Sequence, residues 1–218
     1  MGEDKMTRIL LVRHGESAAN GKGFFAGHLD IDLSELGYRQ AESTANYIAE
    51  KYNVDAVYSS DLMRASHTAE VIAKKIGISI QTNENLREIF AGDWQGLTFD
   101  ELQKNYAKSY SVWLTDIGKA ACPKGETVKE LYNRIWNCLQ EIVKENHEKT
   151  VVVVTHATPI RSICCRLSGK SLEEMKNEPW VSNASISEAI YDRGIWALKE
   201  ESIDEYLTDM RTCFPPNV

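Results

Sequence analysis

Four consecutive valines, Val151–Val154, constrain this chain more than any other stretch. β-Branched residues suit strands, and a strand with no polar face must be covered on both sides. Ile9–Leu10–Leu11–Val12 is a second run of this kind, and Val54 to Tyr58 reads as a third strand. Amphipathic stretches separate them. Ser34 can cap a helix running to about Tyr52. Arg64 to Ile76 reads as a helix stopped by Gly77, and Thr127 to about Asn146 as a longer one with Leu131, Ile135, Leu139 and Ile142 on its apolar face. Pro159 suits the first turn of a helix that Gly169 would end. Ile186 to Tyr191 and Ile195 to Leu198 flank a turn at Asp192–Arg193–Gly194. The pattern predicts a three-layer α/β fold: a mostly parallel sheet with helices on both faces, forming one domain over residues 1–218. Residues 87–122 have weaker periodicity and many aromatics, so a small cap or lid and satellite packing are equally compatible with them. The acidic tail from Glu200 to Asp209 is expected to be a solvated helix.

Charge and cysteine usage narrow the function. Lys and Arg total 25 against 32 Asp and Glu, a net charge of −7. Such a surface repels nucleic acid and anionic membrane, which excludes both as expected partners. It also requires any phosphate site to concentrate positive charge locally. The five cysteines are odd in number and show no C-x-x-C spacing, so neither a disulfide framework nor a zinc site is expected, and a reducing cytoplasm is. No signal peptide or membrane span is readable at the start. Gly2 lacks the Ser or Thr that myristoylation requires, and Cys213 lies too far from the end for prenylation.

Two of the expected strands run into histidine. One gives Val12–Arg13–His14–Gly15–Glu16–Ser17 and the other Val154–Thr155–His156–Ala157. Ligands of open α/β sheets bind beyond the carboxyl ends of strands, so neighbouring strands would bring His14 and His156 into one crevice. Arg13 beside His14 pairs a guanidinium fork for phosphate oxygens with an imidazole. The helix opening near Pro159 would aim its free amides at the same place. The third strand leads through Ser59–Ser60–Asp61 to Arg64, a second possible clamp.

These residues resemble a known family. Arg13–His14–Gly15–Glu16–Ser17 is similar to the R-H-G-E-[ST] signature of the histidine phosphatase (phosphoglycerate mutase-like) superfamily. Asn20, Leu33–Ser34–Glu35–Leu36–Gly37, Ser59 to Ala65, Leu86–Arg87–Glu88 through Gly96, Gly125–Glu126–Thr127 and Val154–Thr155–His156 continue the match in family order. The resemblance implies a phosphoglycerate mutase-like fold and a metal-independent phosphatase acting on small phosphomonoesters, without a cofactor. It implies that His14 becomes phosphohistidine and that Glu88 donates the proton. It implies that Arg13, Arg64, His156, Asn20 and the amide of Ala157 bind the phosphoryl oxygens. Ala157 stands where the family often has Gly, and His67, where it usually has Gln, reads as structural. Phe24, Phe25, Gly27, Phe90 and Trp94 are the candidate pocket wall, alongside Tyr106 and Trp113.

Three rivals remain on sequence grounds. A cofactor-dependent mutase would transfer phosphate instead of releasing it, but the stretch from Gly96 to Gly125 contains no arginine, unlike the mutase insertion. A serine hydrolase built on Gly15–Glu16–Ser17–Ala18–Ala19 lacks the final glycine of G-x-S-x-G and leaves Arg13, His14 and Arg64 idle. A non-catalytic phosphate-binding relative would be expected to have lost His14, Glu88 or His156.

Overall fold

The computed structural model describes residues 6–212; Gly2 and Cys213 lie outside the described residues. Chain order runs β1 (Thr7–Arg13), α1 (Ala18–Lys22), α2 (Glu35–Lys51), β2 (Ala56–Ser59), α3 (Met63–Ile76), β3 (Ile80–Thr82), α4 (Phe99–Asn105), α5 (Ala107–Thr115), α6 (Val128–Glu145), β4 (Thr150–Thr155), α7 (Ala157–Leu167), β5 (Ile186–Asp192) and β6 (Ile195–Ile203). The six strands form one sheet in the order β3-β2-β4-β1-β5-β6. β1, β4, β2 and β3 are mutually parallel; β5 and β6 add an antiparallel edge.

Alternation along the central strands sorts the core into two layers. Ile9, Leu11, Val151 and Val153 face α6 and α7, packing with Ile135, Leu139, Ile142 and Ile160. Leu10, Val12, Val152 and Val154 face α2 and α3, packing with Ala45, Ile48, Ala65, Ala69 and Ile72. All four valines are fully buried, as their lack of a polar face demands. Helix ends follow the cap chemistry. Ser34 accepts from the Gly37 amide, Thr127 forms a capping box with Glu130, and Gly77 closes α3 in the left-handed region at φ 75°.

Residues 89–122 carry a third core layer. Ile89, Trp94, Leu102, Tyr110, Trp113 and Ile117 pack there with Val128 and Leu131 of α6 and Met175. The tail departs from the expected solvated helix. Residues 200–203 complete β6, and single 3-10 turns follow over Glu205–Met210. Leu207 is fully buried, while the Tyr206 ring stacks on Tyr47 of α2 at 4.4 Å and its hydroxyl donates to the Ala184 carbonyl. Of the acidic residues that suggested a solvated helix, Glu200 and Glu201 lie on this edge strand, and Asp204, Glu205 and Asp209 lie in or beside the 3-10 turns after it.

Candidate active site

The strand order creates the site. β1 and β4 are adjacent and in register at Arg13 and Thr155, so the residues just after them, His14 and His156, become neighbours. Their rings lie 5.1 Å apart, edge to face. The His14 amide donates to the Thr155 carbonyl at 3.0 Å, which ties the two strand ends together. Beside β4, β2 ends at Ser59, and the Ser60 hydroxyl meets His156 Nε2 at 2.9 Å.

The next residue explains how His14 turns out of the sheet. A Cβ on Gly15 would sit 2.4 Å from the Gly37 carbonyl oxygen, and one on Gly37 would sit 2.0 Å from that of Glu16. This backbone contact between the loop after β1 and the start of α2 leaves no room for a side chain.

His14 is 4 % exposed, on the wall of a cavity of about 580 Å³. Its Nδ1 lies 2.7 Å from the Gly15 carbonyl oxygen. A carbonyl only accepts, so Nδ1 carries the proton and Nε2 keeps its lone pair. Burial, then Arg64, then Arg13 hold the His14 pKa well below its ordinary value. His156 is fully buried behind His14 and off the cavity wall. Burial and Arg64 lower its pKa in the same way, and its Nδ1 meets no protein partner.

Both guanidiniums are anchored by backbone oxygens. Arg13 Nη1 donates to the Val181 carbonyl, while Arg64 reaches the carbonyls of Leu29 and Gly27 at 3.0 and 2.8 Å. Burial lowers Arg13 to about 9 and Arg64 to about 10, with Glu88 opposing the shift in each, so both stay cationic at neutral pH. Glu88 follows the 3-10 turn Glu84–Leu86. Its carboxylate accepts from the Ile89 amide at 2.8 Å and from the Thr158 amide in the first turn of α7 at 3.3 Å. The loop around Glu88 hangs on Arg134 of α6. This guanidinium donates to the carbonyls of Asn85, Arg87 and Glu88 at 2.8, 3.0 and 3.2 Å and pairs with Glu126.

Asn20 caps the Ser17 amide through Oδ1, and Asn183 Nδ2 reaches both the His14 carbonyl (3.1 Å) and Asn20 (3.4 Å). The structure therefore gathers Arg13, His14, Asn20, Arg64, Glu88 and Ala157 around one cavity, with His156 directly behind. Phe24, Phe25 and Gly27 also line it, together with Phe99 and Trp113. Two expectations for the wall are corrected. Phe90 is 41 % exposed and turned against His28, and Trp94 is fully buried in the third core layer, because the turn Gly92–Trp94 directs its indole inward. Tyr106 also lies in that layer. His67 stands apart from the cavity, 2.6 Å from Asp32. Asn183 and Trp180 line the cavity but are not legible in the sequence, since the irregular 170–185 stretch carries no periodic signal, and Thr212 joins them from beyond the last 3-10 turn. Ser60 was visible in the Ser59 to Ala65 block but had no assigned partner. Among the described residues, no group of three or more His, Cys, Asp or Glu is placed to hold a metal ion. No described helix is long and apolar enough to cross a membrane.

A buried neutral histidine, two anchored guanidiniums and a carboxylate at the end of a parallel sheet are the groups that phosphoryl transfer in an α/β protein requires. The sequence profile described as histidine phosphatase superfamily (branch 1) matches residues 9–204. Phosphoserine phosphatase 1 of Hydrogenobacter thermophilus is 35% identical over 169 residues, covering 78% of this chain and 80% of that protein. The metal-independent phosphoserine phosphatase of Arabidopsis thaliana is 34% identical over 171 residues, 78% of this chain and 72% of that protein. The solved structure of Bacillus stearothermophilus YhfR superposes with a TM-score of 0.88 at 27% identity, covering 92% of this chain and 99% of that one. The chain belongs to the histidine phosphatase superfamily, branch 1, and is a phosphatase of it.

Proposed function

We propose that this phosphatase hydrolyses small phosphomonoesters without a metal ion, through a phosphohistidine on His14. The observation that carries the reading is the His14 ring: Nδ1 is committed to the Gly15 carbonyl, and burial between two guanidiniums keeps Nε2 unprotonated. Nε2 attacks phosphorus in line with the ester oxygen, and the P–O bond breaks. Glu88 gives its proton to the departing alkoxide. The carboxylate then takes a proton from a water whose oxygen attacks phosphorus; the P–N bond breaks, and inorganic phosphate and neutral His14 result. Arg13 and Arg64, with Asn20 and the Ala157 amide, hold the equatorial oxygens, whose charge builds during transfer, while His156 packs edge-on behind the His14 ring. Asn183 holds the His14 backbone in place from behind.

The whole chain acts as one catalytic unit in this reading, with residues 87–122 supplying a fixed wall. A cytoplasmic location suits Cys122, Cys138, Cys164 and Cys165, which are buried free thiols whose pKa values burial raises. The test is turnover of p-nitrophenyl phosphate in EDTA, followed by acid and base quenching. Turnover with a base-stable, acid-labile phosphoenzyme that disappears in His14→Ala supports the reading. Phosphate transfer to a second acceptor without net release points to a mutase, and binding without any transfer points to a non-catalytic relative.

A further inference from the structure

The phosphate-binding end occupies only one side of the cavity. Beyond it the wall is aromatic. Phe25 packs edge-on against Trp113 at 5.1 Å, and Trp113 lies 6.4 Å from Trp180, tilted by 32°. Phe24 and Phe99 complete this side, their segments joined by a bridge between Phe24 and Thr98. The rings are held from behind. Trp94, fully buried, supports both Phe25 (5.6 Å) and Trp113 (5.9 Å). The Arg161 guanidinium stacks on Trp180 at 4.3 Å and is itself fixed by the Glu178 carbonyl at 2.9 Å. Such rings are preorganised, so binding against them loses little side-chain entropy.

Charge is sparse on this side. Away from Arg13, Arg64 and Glu88, the charged residues among the described cavity lining are Glu16 and Lys22, and Glu16 already accepts from the Ser34 hydroxyl at 2.7 Å. A phosphorylated amino acid carries a carboxylate and an ammonium beyond the ester. Here the lining offers those groups the neutral side chains of Ser17, Asn183 and Thr212 and a row of aromatic rings, with the exposed Lys22 as the cation available to the carboxylate. A volume of about 580 Å³ falls among sites that enclose drug-sized ligands and far exceeds what a phosphoserine fills.

We infer that the preferred substrate is a phosphomonoester whose alcohol carries an apolar, planar group, seated against Phe25, Phe99, Trp113 and Trp180. The inference rests on the phosphatase reading and names the class of ester it takes. Aromatic faces bind planar groups by offset or edge-to-face contact, with the water they shed as the driving force.

The test must separate pocket binding from leaving-group chemistry. Aryl phosphates are activated esters, so the informative pair is 2-phenylethyl phosphate against ethyl phosphate, both of which release alkoxides. We expect kcat/KM to favour the phenylethyl ester by about 10-fold or more, the effect of burying one ring. It should also exceed the value for O-phosphoserine. Trp180→Ala and Phe99→Ala should each cut the phenylethyl-to-ethyl ratio several-fold, and Trp180→Phe should restore most of it. The ratio is internal to each variant, so partial loss of folded enzyme does not imitate the result. Equal kcat/KM for the two esters, a preference for O-phosphoserine, or a ratio untouched by both alanine variants overturns the inference while leaving the phosphatase reading intact. No phosphate release from any of the three esters overturns both.

Discussion

Burial and two guanidiniums act on His14 in one direction, and the consequence can be followed with pH. The unfolded chain protonates His14 and His156 near their ordinary value of about 6.5, whereas the folded chain holds both neutral well below it. Under these conditions the unfolded state binds more protons, so stability is complete above about pH 6.5 and falls as the pH drops below it. The slope is up to about 1.4 kcal/mol per pH unit for each histidine. Urea unfolding at pH 7.0, 6.0 and 5.5 should show this fall, and His156→Gln should remove about one proton from the slope. A slope unchanged by His156→Gln would mean that the His156 ring is not held neutral. The same shift predicts no acid limb near pH 6.5 in kcat/KM, because Nε2 is already unprotonated there. Gly15 is constrained by space. Gly15→Ala drives a methyl into the Gly37 carbonyl and should cost about 1–3 kcal/mol, read as a lower thermal midpoint, with activity lost because Arg13 and His14 move with the loop.

At the scale of elements, most of the site lies at strand ends or in the helices that open after them, whereas Glu88 sits in a loop after the 3-10 turn Glu84–Leu86. Its position comes from α6. Arg134 holds three successive parts of the Glu88 loop by their carbonyls, and its partner Glu126 also accepts from the Phe90 amide at 3.2 Å. Arg134→Ala therefore frees the carboxylate to drift, and displacements of about 1 Å can cost up to about 10²-fold in rate. We expect kcat to fall about 10- to 100-fold with KM nearly constant. The loss should be larger for an alkyl phosphate than for p-nitrophenyl phosphate, whose leaving group needs no proton. A purely structural role would lower both substrates equally. Lysine should fail to rescue, since a single ammonium cannot span three carbonyls and a carboxylate.

At the scale of the whole molecule, what the sequence revealed and what it hid divide along physical lines. Val151–Val154 and Ile9–Val12 were readable because continuous burial leaves a continuous apolar signal, and the helices because their caps are written in Ser34, Thr127 and Gly77. The strand-end residues Arg13, His14, Arg64 and His156 were readable because each sits at a fixed offset from such a run. Asn183 and Trp180 were not, because they approach the site through tertiary folding of an irregular segment. Trp94 was misplaced because aromatic content alone does not say which way a ring faces, and the turn Gly92–Trp94 settles that. Its true position makes a prediction about the molecule as a unit. Trp94 is fully buried and touches Phe25, Tyr110 and Trp113, so it joins the third core layer to the aromatic wall of the cavity. Trp94→Ala should cost about 3–5 kcal/mol by chemical denaturation, as expected for deleting a buried indole. If the wall is held by that layer, the surviving folded enzyme should also lose its discrimination between phenylethyl and ethyl phosphate, although Trp94 is not on the cavity surface. A full loss of stability with discrimination retained would show that Phe25 and Trp113 keep their places without it.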